Sequence, residues 1–122
     1  MFNDTPKLSP ELMAGQYNRN IKSARKAVTV AYFFAWTLEG TYNGSDVRSY
    51  FKCELEGCGR VVEKFYSHIR GRKLADGTWK PSPRHKGCLG TAERESALVE
   101  WRKRHRLTDA WLEASLKAID ES

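Results

Sequence analysis

The sequence predicts an α+β fold in which a small antiparallel sheet follows one helix and precedes two others. Three observations lead to this prediction. Helix-capping signals stand near residue 9 and near residue 91 of the 122-residue chain. Between them, short runs of β-branched and aromatic residues alternate with turn residues, as in small antiparallel sheets. All three cysteines lie in the same middle region, where they can staple the sheet. We expect one compact domain.

Composition and charge narrow the function classes. Hydrophobic residues make up 40% of the chain and charged residues 30%, which fits a folded soluble protein. The net charge of +6 at pH 7 favours polyanionic partners, chiefly nucleic acid. The N-terminus lacks the features of a signal peptide, and the longest apolar stretch is too short to cross a bilayer. We therefore expect an intracellular protein without membrane association.

The N-terminal region predicts a flexible tail over residues 1–8 and one helix over residues 9–27. Ser9 is a suitable N-cap, because its hydroxyl can accept a hydrogen bond from the first turn. Pro10 suits the first helical position, where a missing N–H has no consequence. Gly15 is the weak point of this helix, since glycine loses more backbone entropy than other residues.

Residues 28–90 form the predicted sheet region. β-branched and aromatic residues fill positions 28–38, which favours a first strand. A continuation of the preceding helix is the alternative, because periodicity does not separate the two in a short apolar run. Asn43 and Gly44 form a strong hairpin signal. The strands that we expect cover residues 28–38, 47–55 and 60–65.

The C-terminal half predicts irregular structure followed by two helices. Residues 66–74 are strongly basic, and their pattern is ambiguous in secondary structure. Residues 79–83 are extended, but their prolines donate no ladder bond and exclude a central strand. The two helices occupy residues 91–122, and we expect Thr91 and Thr108 to cap them.

The three cysteines and one histidine have the spacing of a metal site. Cys53 and Cys58 form a C-x4-C pair, and His85 and Cys88 form an H-x2-C pair after a spacer of 26 residues. Two close pairs of soft ligands with a long spacer are typical of tetrahedral zinc, which takes four nitrogen or sulfur ligands. We therefore expect one structural zinc ion whose four ligands all come from the protein.

His68 is an alternative ligand. It follows Phe65 in the way that the histidine of a short helical zinc finger follows its core aromatic residue. The alternative arrangement resembles BED-type and other short zinc fingers. In it, His68 would join the first cysteine pair and replace either His85 or Cys88.

The sequence around the first ligand pair resembles a known family. The run RSYFKC occupies positions 48–53, Gly57 and Cys58 follow, and positions 61–63 read VVE. This order resembles the segment of WRKY domains that carries the first two zinc ligands, and the related GCM and FLYWCH domains share its plan. The resemblance covers residues 28–88, without the heptad that gives WRKY domains their name. It implies an antiparallel sheet pinned at one end by zinc, and it implies DNA binding.

Basic residues around the ligands are the candidates for phosphate contacts. Alternation along the second strand places Arg48, Tyr50 and Lys52 on one face of the sheet. The basic loop over residues 69–74 has the composition of a segment that enters a DNA groove. We expect double-stranded DNA as the partner, and a nuclear role in transcription, chromatin or transposition. The candidate residues for nucleic-acid contact are Arg48, Lys52, Arg60, Arg70, Arg72, Lys73, Lys80, Arg84 and Lys86.

An interaction or assembly subunit of a protein or ribonucleoprotein complex is the alternative function. In that case the zinc would be purely structural, and the C-terminal helices would dock a partner through Trp101 and Trp111. The sequence has no Gly-rich phosphate loop, no H-E-x-x-H motif and no nucleophile elbow. We therefore expect neither catalysis nor a small-molecule substrate.

Overall fold

The fold is α+β, with a three-stranded antiparallel sheet between helices. The computed structural model describes residues 6–77, 79–80 and 85–122, without the side chain of residue 79. In chain order the elements are α1 (Pro10–Ala14), α2 (Tyr17–Phe33), β1 (Trp36–Glu39), β2 (Arg48–Cys53), β3 (Val61–Phe65), α3 (Tyr66–Arg70), β4 (Arg72–Lys73), β5 (Trp79–Lys80), α4 (Thr91–His105) and α5 (Asp109–Asp120).

The N-terminal helix predicted over residues 9–27 is divided into α1 and α2. Ser9 caps α1 as expected, since its Oγ accepts a hydrogen bond from the N–H of Leu12 at 3.4 Å. Gly15 has φ −90° and ψ −136°, which no helix contains. The helix is therefore interrupted at the interior residue with the lowest helix propensity. Residues 7–8, predicted as part of a flexible tail, are instead tied to Tyr42, whose N–H donates to the carbonyl of Lys7 at 2.7 Å. Residues 1–5 lie outside the described residues.

The strand predicted over residues 28–38 is wrong in its first half, because α2 continues to Phe33. Alanine and valine recur along α2 at helical spacing, and Ala24, Ala27 and Ala31 are completely buried. Small side chains let a helix pack closely against a neighbouring layer, and this packing outweighs the β preference of the following aromatic residues. Ala35 then turns the chain with a φ of +63°, and β1 begins at the next residue.

The sheet has the order β1-β2-β3, with both pairs antiparallel. Along β2 the residues alternate as the sequence predicts: Arg48 and Tyr50 are exposed, whereas Phe51 and Cys53 are buried. The stretch 66–74, whose sequence pattern is ambiguous, contains both α3 and β4. β4 pairs with β5 in a separate two-stranded ribbon, so residues 79–80 are extended at an edge.

The C-terminal helices pack against α2. Thr108 caps α5 through a 3.0 Å hydrogen bond from the N–H of Trp111, as predicted. Gly90, not Thr91, is the N-cap residue of α4, and no side chain caps that end. At the other end of α5, Lys26 pairs with Asp120 at 2.8 Å. Within the described residues no helix has the length and apolarity needed to cross a membrane.

Candidate metal centre

Four side chains from two separate parts of the chain meet at one end of the sheet. Cys53 is the last residue of β2, Cys58 lies in the turn that follows, and His85 and Cys88 precede α4. The three Sγ atoms and a ring nitrogen of His85 all lie within 4.8 Å of one another. Within the cluster, Cys58 Sγ and His85 Nε2 are 3.4 Å apart. These residues are close enough to bind one metal ion.

The first ligand pair sits on a tight turn held by backbone hydrogen bonds. The N–H of Cys58 donates to the carbonyl of Leu55 at 3.0 Å, and the N–H of Gly59 donates to the carbonyl of Cys53 at 3.1 Å. Gly57 and Gly59 have φ values of +92° and +74°, which glycine adopts without steric penalty. The two glycines therefore let the chain fold back so that both thiols point to one place.

The second ligand pair sits on another turn. The N–H of Cys88 donates to the carbonyl of His85 at 3.2 Å, and Gly87 between them has a φ of +82°. The guanidinium of Arg60 packs on this turn, since a Cβ placed on Gly87 would lie 3.0 Å from its Cζ. The second turn thus contacts Arg60, which lies two residues after Cys58. The two ligand turns therefore support each other.

Hydrogen bonding orients the His85 ring for coordination. Its Nδ1 lies 3.0 Å from the carbonyl oxygen of Lys86, which can only accept, so Nδ1 carries the proton and donates. This leaves the lone pair of Nε2 directed at the thiols, as in metal sites whose histidine is held by an outer hydrogen bond. Burial lowers the pKa of His85, and nearby basic groups lower it further, which favours the neutral form that binds metals. Trp36 packs edge-on against the ring, with centroids 5.2 Å apart.

The donor set fits a tetrahedral ion in chemistry and in spacing. A tetrahedral site with zinc bond lengths separates its ligand atoms by about 3.5–3.8 Å, and the cluster is within about one ångström of that size. Burial raises the pKa of the Cys53 thiol to about 12, and the neighbouring thiols of Cys58 and Cys88 add to this effect. A bound divalent cation reverses this preference, because a coordinating thiol is deprotonated outright.

The alternative ligand His68 lies away from the cluster. Its side chain is exposed, and its ring packs edge-on against Phe65 with centroids 5.2 Å apart. Among residues 6–77, 79–80 and 85–122, no second group of His, Cys, Asp or Glu side chains has the spacing of a metal site. The geometry therefore favours the ligand set of three cysteines and His85 over the short-finger arrangement.

The predicted phosphate-contacting residues occupy several surfaces. On the sheet, the Arg48 guanidinium lies 5.3 Å from the ring centre of Phe65, and Lys52 pairs with Glu54 at 3.3 Å. Arg60 packs on the turn at Gly87. The other described candidates lie beyond β3, and Arg84 is outside the described residues. These are Arg70, Arg72, Lys73, Lys80 and Lys86, all exposed.

The two tryptophans predicted to dock a partner have different surroundings. Trp101 is 8% exposed, and its Nε1 donates to the carbonyl of Tyr32 at 2.8 Å, so it belongs to the core of this chain. A docking role for Trp101 has no support in this position. Trp111 is half-buried and lines a groove of about 590 Å³ between α2, the end of α4 and α5.

Two basic residues beside the metal centre were not predicted as part of it. Lys64 lies on the same half-buried face of β3 as Val62. The alternation of that strand could therefore have indicated that Lys64 faces inward. Arg94 is 9% exposed in the first turns of α4, and no local pattern in the sequence marks it.

Comparison of the chain with protein-family models, curated proteins and solved structures found no match. The metal centre and the distribution of charge are therefore the basis for inferring function. The resemblance to WRKY domains stays a prediction.

Proposed function

We propose that this chain binds nucleic acid, in the first place DNA, through a basic segment held in place by one structural zinc ion. The basic segment is residues 64–92. It contains seven of the 21 Lys and Arg residues but one of the 15 Asp and Glu residues. The rest of the chain holds 14 of each kind, so the basic segment accounts for the whole net charge of +6. This concentration of charge carries the proposal, because binding to a phosphate backbone depends on it.

Zinc is the metal that this donor set favours. Soft thiolates and an imidazole in a four-ligand cluster suit zinc, whereas calcium and magnesium require oxygen ligands. Four protein ligands also leave no position for a substrate or an activated water, as in structural sites. When bound, zinc would supply a cross-link between two turns and no reaction chemistry.

Attachment at both ends supports a binding role for the basic segment. At its start, Lys64 and Phe65 pair with Ser49 and Arg48 in the sheet. Near its end, the metal ligands His85 and Cys88 would tie it to the turn at Cys58. Between these attachments, α3 and the β4–β5 ribbon display Arg70, Arg72 and Lys80. A two-stranded ribbon is narrow enough to enter the major groove of B-DNA.

A charge-reversal experiment tests the proposal. The variant Arg70→Glu/Arg72→Glu/Lys73→Glu should bind a short DNA duplex at least about tenfold more weakly than the wild type. The slope of log K against log salt should become shallower by about three, since each lost phosphate contact removes roughly one released ion. Fluorescence anisotropy over a salt series measures both quantities, and circular dichroism checks that the variant is folded.

A matched variant separates the basic segment from overall charge. Arg19→Glu/Lys103→Glu/Lys117→Glu changes the net charge by the same amount at exposed positions on α2, α4 and α5. We expect this control to retain the salt slope of the wild type. Equal losses in both variants, or wild-type binding that does not depend on salt, would contradict the proposal. Tighter binding to RNA than to DNA would retain the basic segment as the binding site and identify RNA as the ligand. A DNA-binding role is consistent with the expected nuclear location and a part in transcription.

The groove beside Trp111 favours assembly as a second candidate function. Tyr32, His105 and Trp111 give the groove aromatic walls, and half-buried tryptophans are common anchors at protein interfaces. On this view Trp111→Ala abolishes a protein complex and leaves nucleic-acid affinity unchanged. Co-purification of tagged wild-type and variant chains, together with the anisotropy assay, distinguishes the two functions.

A further inference from the structure

Three basic side chains lie around the candidate metal centre. Arg60 follows the first ligand pair, Lys64 is in β3, and Arg94 is in α4. Arg60 packs on the turn of the second ligand pair at Gly87, and Lys64 lies over Trp36, whose ring packs against His85. Arg94 is in the first turns of α4, the helix that begins three residues after Cys88. Positive groups are thus concentrated at a place that is expected to receive a cation.

Arg94 is the most unusual of the three. It is 9% exposed, and its Nε atom is buried without a hydrogen-bond partner in the part of the chain that the structure describes. The described residues also provide no ion pair for it within 4.0 Å. A buried guanidinium without a counter-ion is costly, so native proteins pair such groups with a negative charge.

Lys64 faces the same place from the sheet. Its Nζ lies 5.1 Å from the ring centre of Trp36, whose ring packs against His85. Burial lowers the pKa of Lys64 and the charge of Arg94 lowers it further, whereas Cys53 and Cys88 raise it. Two like charges therefore share a partly buried region, and Cys53 and Cys88, two of the candidate metal ligands, favour the charged form of Lys64.

The charge of the occupied centre explains this arrangement. Three thiolates carry three negative charges and a neutral imidazole carries none, so a divalent ion leaves the centre with a net charge of −1. An anion inside a partly buried region needs compensation, and three basic side chains are near enough to supply it once a metal is bound.

We propose that Arg94 and Lys64, assisted by Arg60, form a cationic shell that offsets the negative charge of the metal–thiolate centre and strengthens metal binding. This inference rests on the metal centre of the proposed function and does not depend on nucleic-acid binding. The shell residues position and stabilise the thiolates and do not themselves coordinate the ion.

Substitutions that remove charge and keep volume test the shell. Arg94→Met and Lys64→Met should each weaken zinc binding by about tenfold, as expected for outer-shell partners of metal ligands. Arg94→Lys should restore most of the loss, because it returns the charge. Lys103→Met is the control, since it removes an exposed charge from the same helix as Arg94. Competition with a chelator of known affinity measures zinc binding, and circular dichroism confirms the fold.

Cobalt substitution gives a readout that general destabilisation would not move. A positive charge near a thiolate lowers the energy of its electrons, so removing that charge should shift the thiolate-to-cobalt charge-transfer band to longer wavelength. We expect this shift in Arg94→Met and Lys64→Met, its reversal in Arg94→Lys, and no shift in Lys103→Met.

The outcomes separate the shell from the centre itself. Wild-type protein that binds neither zinc nor cobalt would overturn the metal centre and the shell together. The shell alone would be overturned if the wild type binds metal and both Met variants retain its affinity and its charge-transfer band. If Arg94→Met does not fold, Lys64→Met decides, because Lys64 is only half-buried and its long stem is replaced by one of similar shape.

Discussion

The helical layer and the basic segment of this molecule are stabilised in different ways. The helical layer consists of α2, α4 and α5, and apolar side chains such as Val30, Phe33, Trp101 and Leu112 are buried there. In the described part of the basic segment, Tyr66 and Ile69 are the buried apolar residues. A segment with so little apolar burial and so much like charge gains little from the hydrophobic effect. Its order depends on what holds its ends.

Metal removal should produce the largest difference between the two regions. A chelator should abolish the order of residues 53–60 and 85–90, because binding free energy at a structural zinc site is folding free energy. Amide exchange in these residues should become at least about a hundredfold faster, while exchange in α2 and α5 changes little. Hydrogen exchange with mass spectrometry measures both regions, and Cys88→Ser should reproduce the result without chelator. Simultaneous loss of protection in the helices would show that the two regions form one cooperative unit.

Trp101→Ala tests the opposite region. The indole packs edge-on against Tyr32, with ring centroids 5.1 Å apart, and contacts the tilted ring of His105, with centroids 4.1 Å apart. It also donates a hydrogen bond to a carbonyl of α2. Its removal should lower the free energy of unfolding by about 3–5 kcal/mol. Urea denaturation measures the loss, and Val99→Ala on the exposed face of α4 should change stability by less than about 0.5 kcal/mol. A small effect of Trp101→Ala would mean that the helical layer does not depend on this contact.

Arg102 connects α4 to the end of α2. Its Nε donates to the carbonyl of Phe33 at 2.9 Å, and its guanidinium lies 3.8 Å from the ring centre of that residue. A cation at the C-terminal end of a helix also interacts favourably with the helix dipole. Arg102→Met should therefore destabilise the protein by about 1.5–3 kcal/mol, less than the loss of Trp101. The same denaturation assay measures it, with the exposed Lys103→Met as control; equal stability of the two variants would contradict the role given to Arg102.

The sequence predicted those features of the structure that residue spacing and strand alternation determine. Spacing indicated which four side chains meet at the candidate metal centre, and alternation indicated which face of β2 is buried. The end of α2 was missed, because helix and strand compete in a short apolar run and the decision comes from packing against α4 and α5. Nothing in the sequence around Arg102 indicated a contact with α2. Its actual role at the end of α2 involves a contact between residues 69 positions apart, which no local pattern contains.

Gly87→Ala gives the smallest expected effect and sharpens the comparison at one residue. Gly87 has a φ of +82° between the candidate metal ligands His85 and Cys88, and an added Cβ would meet the flexible Arg60 guanidinium at 3.0 Å. We expect the strain to weaken zinc binding by about fivefold, which corresponds to about 1 kcal/mol. Gly44→Ala is the matched control, because Gly44 has a φ of +109° and no atom within 4 Å of an added Cβ.

The two glycine variants distinguish the general cost of backbone strain from its specific effect on zinc binding. Both should lower the free energy of unfolding by a similar amount, since both force alanine into a left-handed conformation. Gly87→Ala should also weaken zinc binding, because its strain falls on the turn that presents His85 and Cys88. Gly44→Ala should bind zinc as the wild type does, since its turn joins β1 to β2 at a distance along the chain from every ligand. Equal zinc affinities in the two variants would mean that the second ligand turn does not need its geometry.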